Sequence, residues 1–190
     1  MSMATRIALG SGKIYMAEPP ETLETTNPES LITTYAVPEN EFAAVKNGAT
    51  VEYTPETYTA EDDMGRFSKT VNQNETATLS SGVMTISGDV FDKLVDTGRV
   101  STTSGGTQVI KIGGLENSKN KSYLIIFEHL DKKDGNIYVI LVGKNTASLS
   151  LQFQPGSETI LNPTFTAEGM DDDGTKLLII MQKPAAQSGE

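Results

Sequence analysis

The chain contains no cysteine and no tryptophan, and it has a single histidine. Without thiols it can form no disulfide framework, no thiolate nucleophile and no Cys-ligated zinc or iron–sulfur centre. Its stability therefore rests on packing and on partners. Long hydrophobic runs are missing too: the longest, Leu177–Met181 and Ile137–Val142, fall far short of the roughly 20 residues that span a bilayer. The N-terminal stretch MSMATRIALGSGKIYMAE has no 7- to 15-residue apolar segment behind a basic start. A soluble product made in a cytoplasm, without membrane partners, is the expectation. Positive charge is scarce. Lys and Arg number 15 against 25 Asp and Glu, a formal net charge of −10, and between Lys13 and Arg66 the only basic residue is Lys46. Nucleic-acid affinity rests mainly on Lys and Arg displacing counterions, so this balance argues against an adhesive phosphate-binding surface.

What is present is a strand-and-turn composition. Thr, Ser and Gly are abundant, and hydrophobic residues make up 37% of 190 residues. A chain of this size suits one domain that buries about 70% of the surface its unfolded form exposes. Residues 19–40 carry four prolines and no sustained period, which reads as an arm or long loop. From Ala49 the pattern alternates: Ala49, Val51 and Tyr53 face one way, Thr50, Glu52 and Thr54 the other. A polar stretch from Pro55 to Asn74 reads as a long connection, and alternation resumes with Ala77 and Leu79 against Thr76, Thr78 and Ser80.

Ser87 to Gly98 reads as the one convincing helix. Ser87 can cap its free N–H groups, Asp89 suits the positive end of the dipole, and Gly98 can terminate it. Val90, Phe91, Leu94 and Val95 form its apolar stripe. Thr107–Ile112, Ser122–Leu130 and Ile137–Val142 are apolar on both faces and belong in the covered part of a sheet. A second alternating hairpin follows. Ala147, Leu149, Leu151 and Phe153 oppose Ser148, Ser150 and Gln152; Phe165 and Ala167 oppose Thr164, Thr166 and Glu168. The turn MDDDGT leads to a last strand, Lys176–Gln182, and PAAQSGE reads as a flexible tail.

Catalytic signatures are weak. Gly10-Ser11-Gly12-Lys13 lacks both the leading Gly and the Ser/Thr of a phosphate-binding loop. Asp171, Asp172 and Asp173 before Gly174 lack the spacing of a calcium loop and read as an acidic turn. His129 shares its side of an apolar strand with Tyr123, Ile125 and Phe127, which suits packing better than a triad. No carboxylate pair stands out among many, and no catalytic, metal-binding or cofactor-binding residue is expected.

Four segments in order carry a family resemblance: VEYTPETYT, a long polar stretch, ETATLSSGVMTIS and the helix DVFDKL. With the closing NPTFTAEGMDDDGTKLLIIMQK, they resemble the major tail tube protein of long-tailed, siphovirus-type bacteriophages. The resemblance spans residues 45–183. It implies a mainly β fold, a β-sandwich with one packed α-helix and a long inter-strand loop. The division is an N-terminal arm and first strand over 1–40, the sandwich over 41–183 and a tail over 184–190. It also implies no enzymatic activity and no cofactor. Six copies would form a ring, and stacked rings a hollow tube in the virion tail, assembled in the bacterial cytoplasm, through which DNA passes without specific binding. Tail terminator, tape-measure and distal tail proteins would be its other partners.

On that reading Thr50, Glu52, Thr54, Thr76, Thr78, Ser80, Ser148, Ser150, Gln152, Thr164, Thr166 and Glu168 face the lumen. Asp62, Asp63, Met64, Arg66 and Phe67 reach a neighbouring subunit. The alternative is a carbohydrate- or surface-binding β-sandwich module of a phage or bacterial particle. Such modules usually present aromatic platforms, whereas Trp is absent here and the aromatics fall mostly on apolar faces.

Overall fold

A computed structural model describes residues 10–131 and 133–182. The tail over 184–190 lies outside the described residues. The strands are β1 (Gly12–Ala17), β2 (Glu41–Ala43), β3 (Val45–Glu61), β4 (Ser68–Val83), β5 (Arg99–Thr102), β6 (Gln108–Lys111), β7 (Tyr123–His129), β8 (Ile137–Asn145), β9 (Thr164–Ala167) and β10 (Leu178–Met181). The helices are α1 (Pro28–Tyr35) and α2 (Gly88–Leu94), with 3-10 turns at Pro38–Asn40 and Leu115–Asn117. No helix among the described residues is long and apolar enough to cross a membrane.

One antiparallel sheet dominates, in the order β2-β1-β7-β8-β9-β4-β3, with β10 paired to the first half of β8. Only Ala44 separates β2 from β3. One chain segment therefore pairs with β1 at its start and with β4 along the rest of its length. This makes the sheet curl back on itself and places its two halves face to face. The period of two then decides what lies inside. Ile14, Met16, Ile125, Leu141, Leu79 and Phe165 point into the curl and form the main core. The opposite face of β1, β7 and β8 presents Tyr15, Leu124, Ile126, Tyr138, Ile140 and Val142, which a second cluster covers with Leu31, Met170 and flanking residues of α1. Every residue of β7 is buried, as a strand covered on both faces must be. The mainly β, sandwich-like fold expected from the pattern is thus observed.

Two elements here differ from expectation. The stretch 19–40 holds α1, whose Pro28 sits at the start where its missing N–H costs nothing. Leu31 is its only fully buried residue, so it leaves almost no apolar period to read. There are accordingly two helices among the described residues, and β1 and α1 belong to the body of the domain. The expected 107–112 strand forms β6, which pairs only with β5 in a separate two-stranded sheet and is largely exposed. Ile110 shares with Val100 and Gln108 the face turned to α2, and Val109 lies on the opposite, exposed face.

The helix α2 starts as expected: Ser87 Oγ accepts the Val90 N–H at 3.3 Å, and Asp89 lies in the first turn. It ends earlier, because Val95 already has extended dihedrals. Glu128 is buried yet satisfied. Its carboxylate accepts the Tyr15 and Tyr138 hydroxyls, each at 2.7 Å, and Asn136 Nδ2 at 3.1 Å. Burial first, then this carboxylate, pushes the Tyr15 phenol far above its ordinary range.

Val90, Phe91 and Leu94 are buried and Asp89 is exposed, so the helix belongs to the core and is not waiting for a partner. Phe91→Ala should therefore destabilise the isolated subunit by about 3–5 kcal/mol. Urea unfolding checks this, and an unchanged midpoint would show that Phe91 is not a core residue.

Candidate self-assembly surface

The hairpin β3–β4 runs on past the strands beside it. Strand β9 pairs with β4 only from Thr78 to Ser80, while the β3–β4 ladder continues to Glu61↔Ser68. The stretch from Pro55 to Asn74, expected as a long loop, is therefore a two-stranded ribbon with a connection of only 62–67. Gln73 is bulged out, since Glu56 pairs with Asn74 and Thr57 with Asn72. The alternation test fails here for a physical reason: neither face is buried, so no apolar period is selected. The remaining signal is compositional, in β-formers such as Thr57, Tyr58, Thr59, Thr70 and Val71. Thr59 and Thr70 share a 2.8 Å hydroxyl contact across the ribbon, and Tyr53 donates to Glu75 at 2.7 Å.

Asp62 builds the tip. Its Oδ1 accepts the N–H groups of Arg66 at 2.5 Å and Phe67 at 2.8 Å, and its carbonyl accepts the Gly65 N–H. These backbone donors, Phe67 first, hold the Asp62 carboxyl below its usual range. Arg66 Nε lies 3.3 Å from the same carboxylate. Asp62 and Arg66 are thus committed to the turn, which lifts the other three expected contact residues outward. Met64 and Phe67 are each 74% exposed, and Asp63 is exposed beside them.

Eight of the twelve expected lumen residues come together on one sheet face. Thr50, Ser80 and Thr164 form one cross-strand row, Glu52, Thr78 and Thr166 the next, and Thr54 and Thr76 a third. Ser80 and Thr164 hydroxyls meet at 2.9 Å. Behind this face lie Ala77, Leu79 and Phe165, all fully buried, so a one-residue slip is forbidden. The second row runs on to Lys144, paired with Thr166, whose Nζ donates to Asn120 Oδ1 at 2.7 Å. Glu168 lies just past β9 and accepts Ser122 Oγ at 2.8 Å.

Ser148, Ser150 and Gln152 do not join them, and the strand expected from Ala147 to Phe153 is absent. Asn145 ends the ladder: its Oδ1 accepts the N–H groups of Ala147 and Thr164, and its Nδ2 donates to Leu94 O. The chain then leaves the sheet and returns at Leu161, which bridges to Val83. Leu149 and Leu151 are consequently exposed, and Phe153 is 75% exposed. Tyr53 and Tyr58 on the ribbon are also more than half exposed, so several aromatics expected on covered faces lie in water.

Neither a family model nor a curated protein matches the chain. The surface is therefore read from its chemistry: an open ribbon, an apolar excursion without a partner and a face of short neutral or acidic side chains.

Asp62→Ala should leave the body folded while the tip loses order, measured as falling heteronuclear NOEs for residues 62–67. The parent should show the same loss in acid. A carboxyl whose folded pKa is depressed stabilises the turn fully above about pH 4 and ceases to do so as the pH falls through the lowered value. A tip that stays rigid at pH 2 would refute the capping role.

Proposed function

We propose that this chain is a structural subunit, without catalytic activity or cofactor, whose copies close into rings and stack into the hollow tail tube of a long-tailed bacteriophage. Six copies per ring, a place in the virion tail after assembly in the bacterial cytoplasm, and tape-measure, terminator and distal tail partners follow from the family resemblance. One observation carries the reading: the β3–β4 ribbon leaves both faces and the outer edge of β3 in water. Two-stranded ribbons are marginal alone, and flat open edges recruit other chains. Past the Tyr53–Ala77 pair the arms run eight residues on β3 and nine on β4, about 27 Å long, an expensive projection for a protein that works as a monomer.

The Thr/Ser/Glu face supports the second half of the reading. A DNA conduit needs a wall that phosphates do not adhere to, because each lysine facing the lumen would add a salt-dependent attachment. The three rows of Thr50, Glu52 and Thr54 contain no Lys or Arg until Lys144 at the far side of the second, and the other lysines of this face stand at the ends of the hairpin: Lys46, paired with Gly82 and held by Glu158, and Lys69, paired with Ala60 on the ribbon. Rings remove the open edges by joining the ribbons of neighbouring copies in a continuous wall.

Electron microscopy of the purified protein at high concentration tests the assembly. Hollow filaments or rings are expected, and persistent monomers would overturn the proposal. The lumen assignment is tested by lysines at Thr50 and Thr76, which lie in different rows. Thr166 is avoided because it sits directly opposite Lys144, where paired like charges would strain the sheet. Particles carrying both changes should assemble yet eject DNA slowly at low salt, with the defect easing as salt rises. Ejection at the parental rate at low salt would remove this face from the channel.

A further inference from the structure

The two-stranded sheet β5–β6 is attached to the body through one face only. Val100 and Gln108 point to α2, where Gly88 permits the approach: a Cβ there would lie 2.7 Å from Val100 Cγ1 and 3.0 Å from Gln108 Oε1. The Gly88 N–H also donates to Gln108 Oε1 at 3.1 Å. By the period of two the other face carries Arg99, Lys111, Ser101 and Val109 outward. Arg99 and Lys111 are directly opposite partners in the ladder, and among the described residues neither has a carboxylate within ion-pair distance. Like charges so placed destabilise a sheet unless an anion joins them. Beside them Ile112 is half exposed and Leu115 is 92% exposed. In a chain of net charge −10 this is a basic, apolar platform.

The ribbon tip has the complementary chemistry. Glu61 and Asp63 are exposed and make no ion pair among the described residues, and Met64 and Phe67 stand out next to them. Within one copy the two cannot meet. The tip precedes the first residue of β4 and the platform follows its last, through α2, so 16 strand residues separate them, roughly 50 Å at full extension. They lie at opposite ends of the molecule.

We propose that the outward face of β5–β6 receives the β3–β4 tip of a second copy, Glu61 and Asp63 meeting Arg99 and Lys111 while Met64 and Phe67 cover Ile112 and Leu115. Because donor and acceptor surfaces differ and sit at opposite ends, the contact is heterologous and propagates without closing on itself. It deepens the tube reading and rests on it for the identity of the assembly, as the link between successive rings.

The chain has no thiol of its own, so Met64→Cys combined with Leu115→Cys introduces the only two. Treated with a short bismaleimide at low salt, this variant should give a ladder of covalent multimers on a denaturing gel. Met64→Cys combined with Ile179→Cys, on the exposed edge of β10, should give only the collisional background. Equal ladders from both variants would overturn the contact.

Charge reversal tests its electrostatics in the Cys-bearing background. Glu61→Lys with Asp63→Lys, and separately Arg99→Glu with Lys111→Glu, should each cut the ladder about tenfold. An equimolar mixture should restore it, because each tip then meets an opposite platform. A mixture no better than its components would overturn the pairing. Parental protein imaged in parallel separates the two ideas. Filaments with a background-level ladder leave the tube and remove this contact. A specific ladder without filaments keeps the contact and removes the tube, and the absence of both removes both.

Discussion

The outer edge of β3 pairs with no other strand among the described residues, and this open row of backbone donors and acceptors organises everything else. Where β3 lies over the core, its inward side chains Val45, Ala49 and Val51 pack against buried residues and hold the strand in register. Beyond Tyr53 nothing holds it except β4. The ladder nevertheless continues to Glu61, stapled by the Asp62 carboxylate, by hydroxyl pairs and by the Tyr53–Glu75 bond. These devices keep the ribbon in shape far from the core, which is what the proposed assembly requires of it.

Two differently covered halves of one sheet follow from the curl at Ala44. The outer face of β1, β7 and β8 is apolar and sealed by α1 and Met170, with the one buried carboxylate, Glu128, met by two tyrosines and an asparagine. The outer face of β3, β4 and β9 is Thr, Ser and Glu where β9 flanks β4, and these residues are half-buried or exposed. Both outer faces are backed by a single core, so register on one half constrains register on the other. Moving Phe165 or Leu79 to the surface would remove large, fully buried side chains from that core. The polar face is thus as strongly specified as the core itself.

The excursion after Asn145 shows the same logic in reverse. Leu149, Leu151 and Phe153 alternate with Ser148, Ser150 and Gln152 as they would in a half-buried strand, yet they find no partner within one copy. The turn at Asn145 and the Lys46–Glu158 ion pair at 2.6 Å hold the excursion at its ends. Its apolar residues are left for a neighbour in the proposed ring.

The sequence by itself determined the class of the protein, the buried strands β7 and β8, the cap of α2 and the face shared by Thr50, Thr78 and Thr166, because each is written in a local period or a local capping pattern. It also excluded cysteine chemistry outright. Only the tertiary structure decided the rest. Helix α1 is recognisable by what it covers, with Leu31 as its single buried residue. The ribbon was hidden because a strand exposed on both faces needs no apolar period, and β6 was misplaced because Val109 and Ile110 read alike whether both enter a large sheet or only Ile110 turns to a helix while Val109 stays exposed. The unpaired 147–153 segment has a strand's pattern, but a strand exists only where a second one lies beside it, and that is a property of the whole molecule or of its assembly.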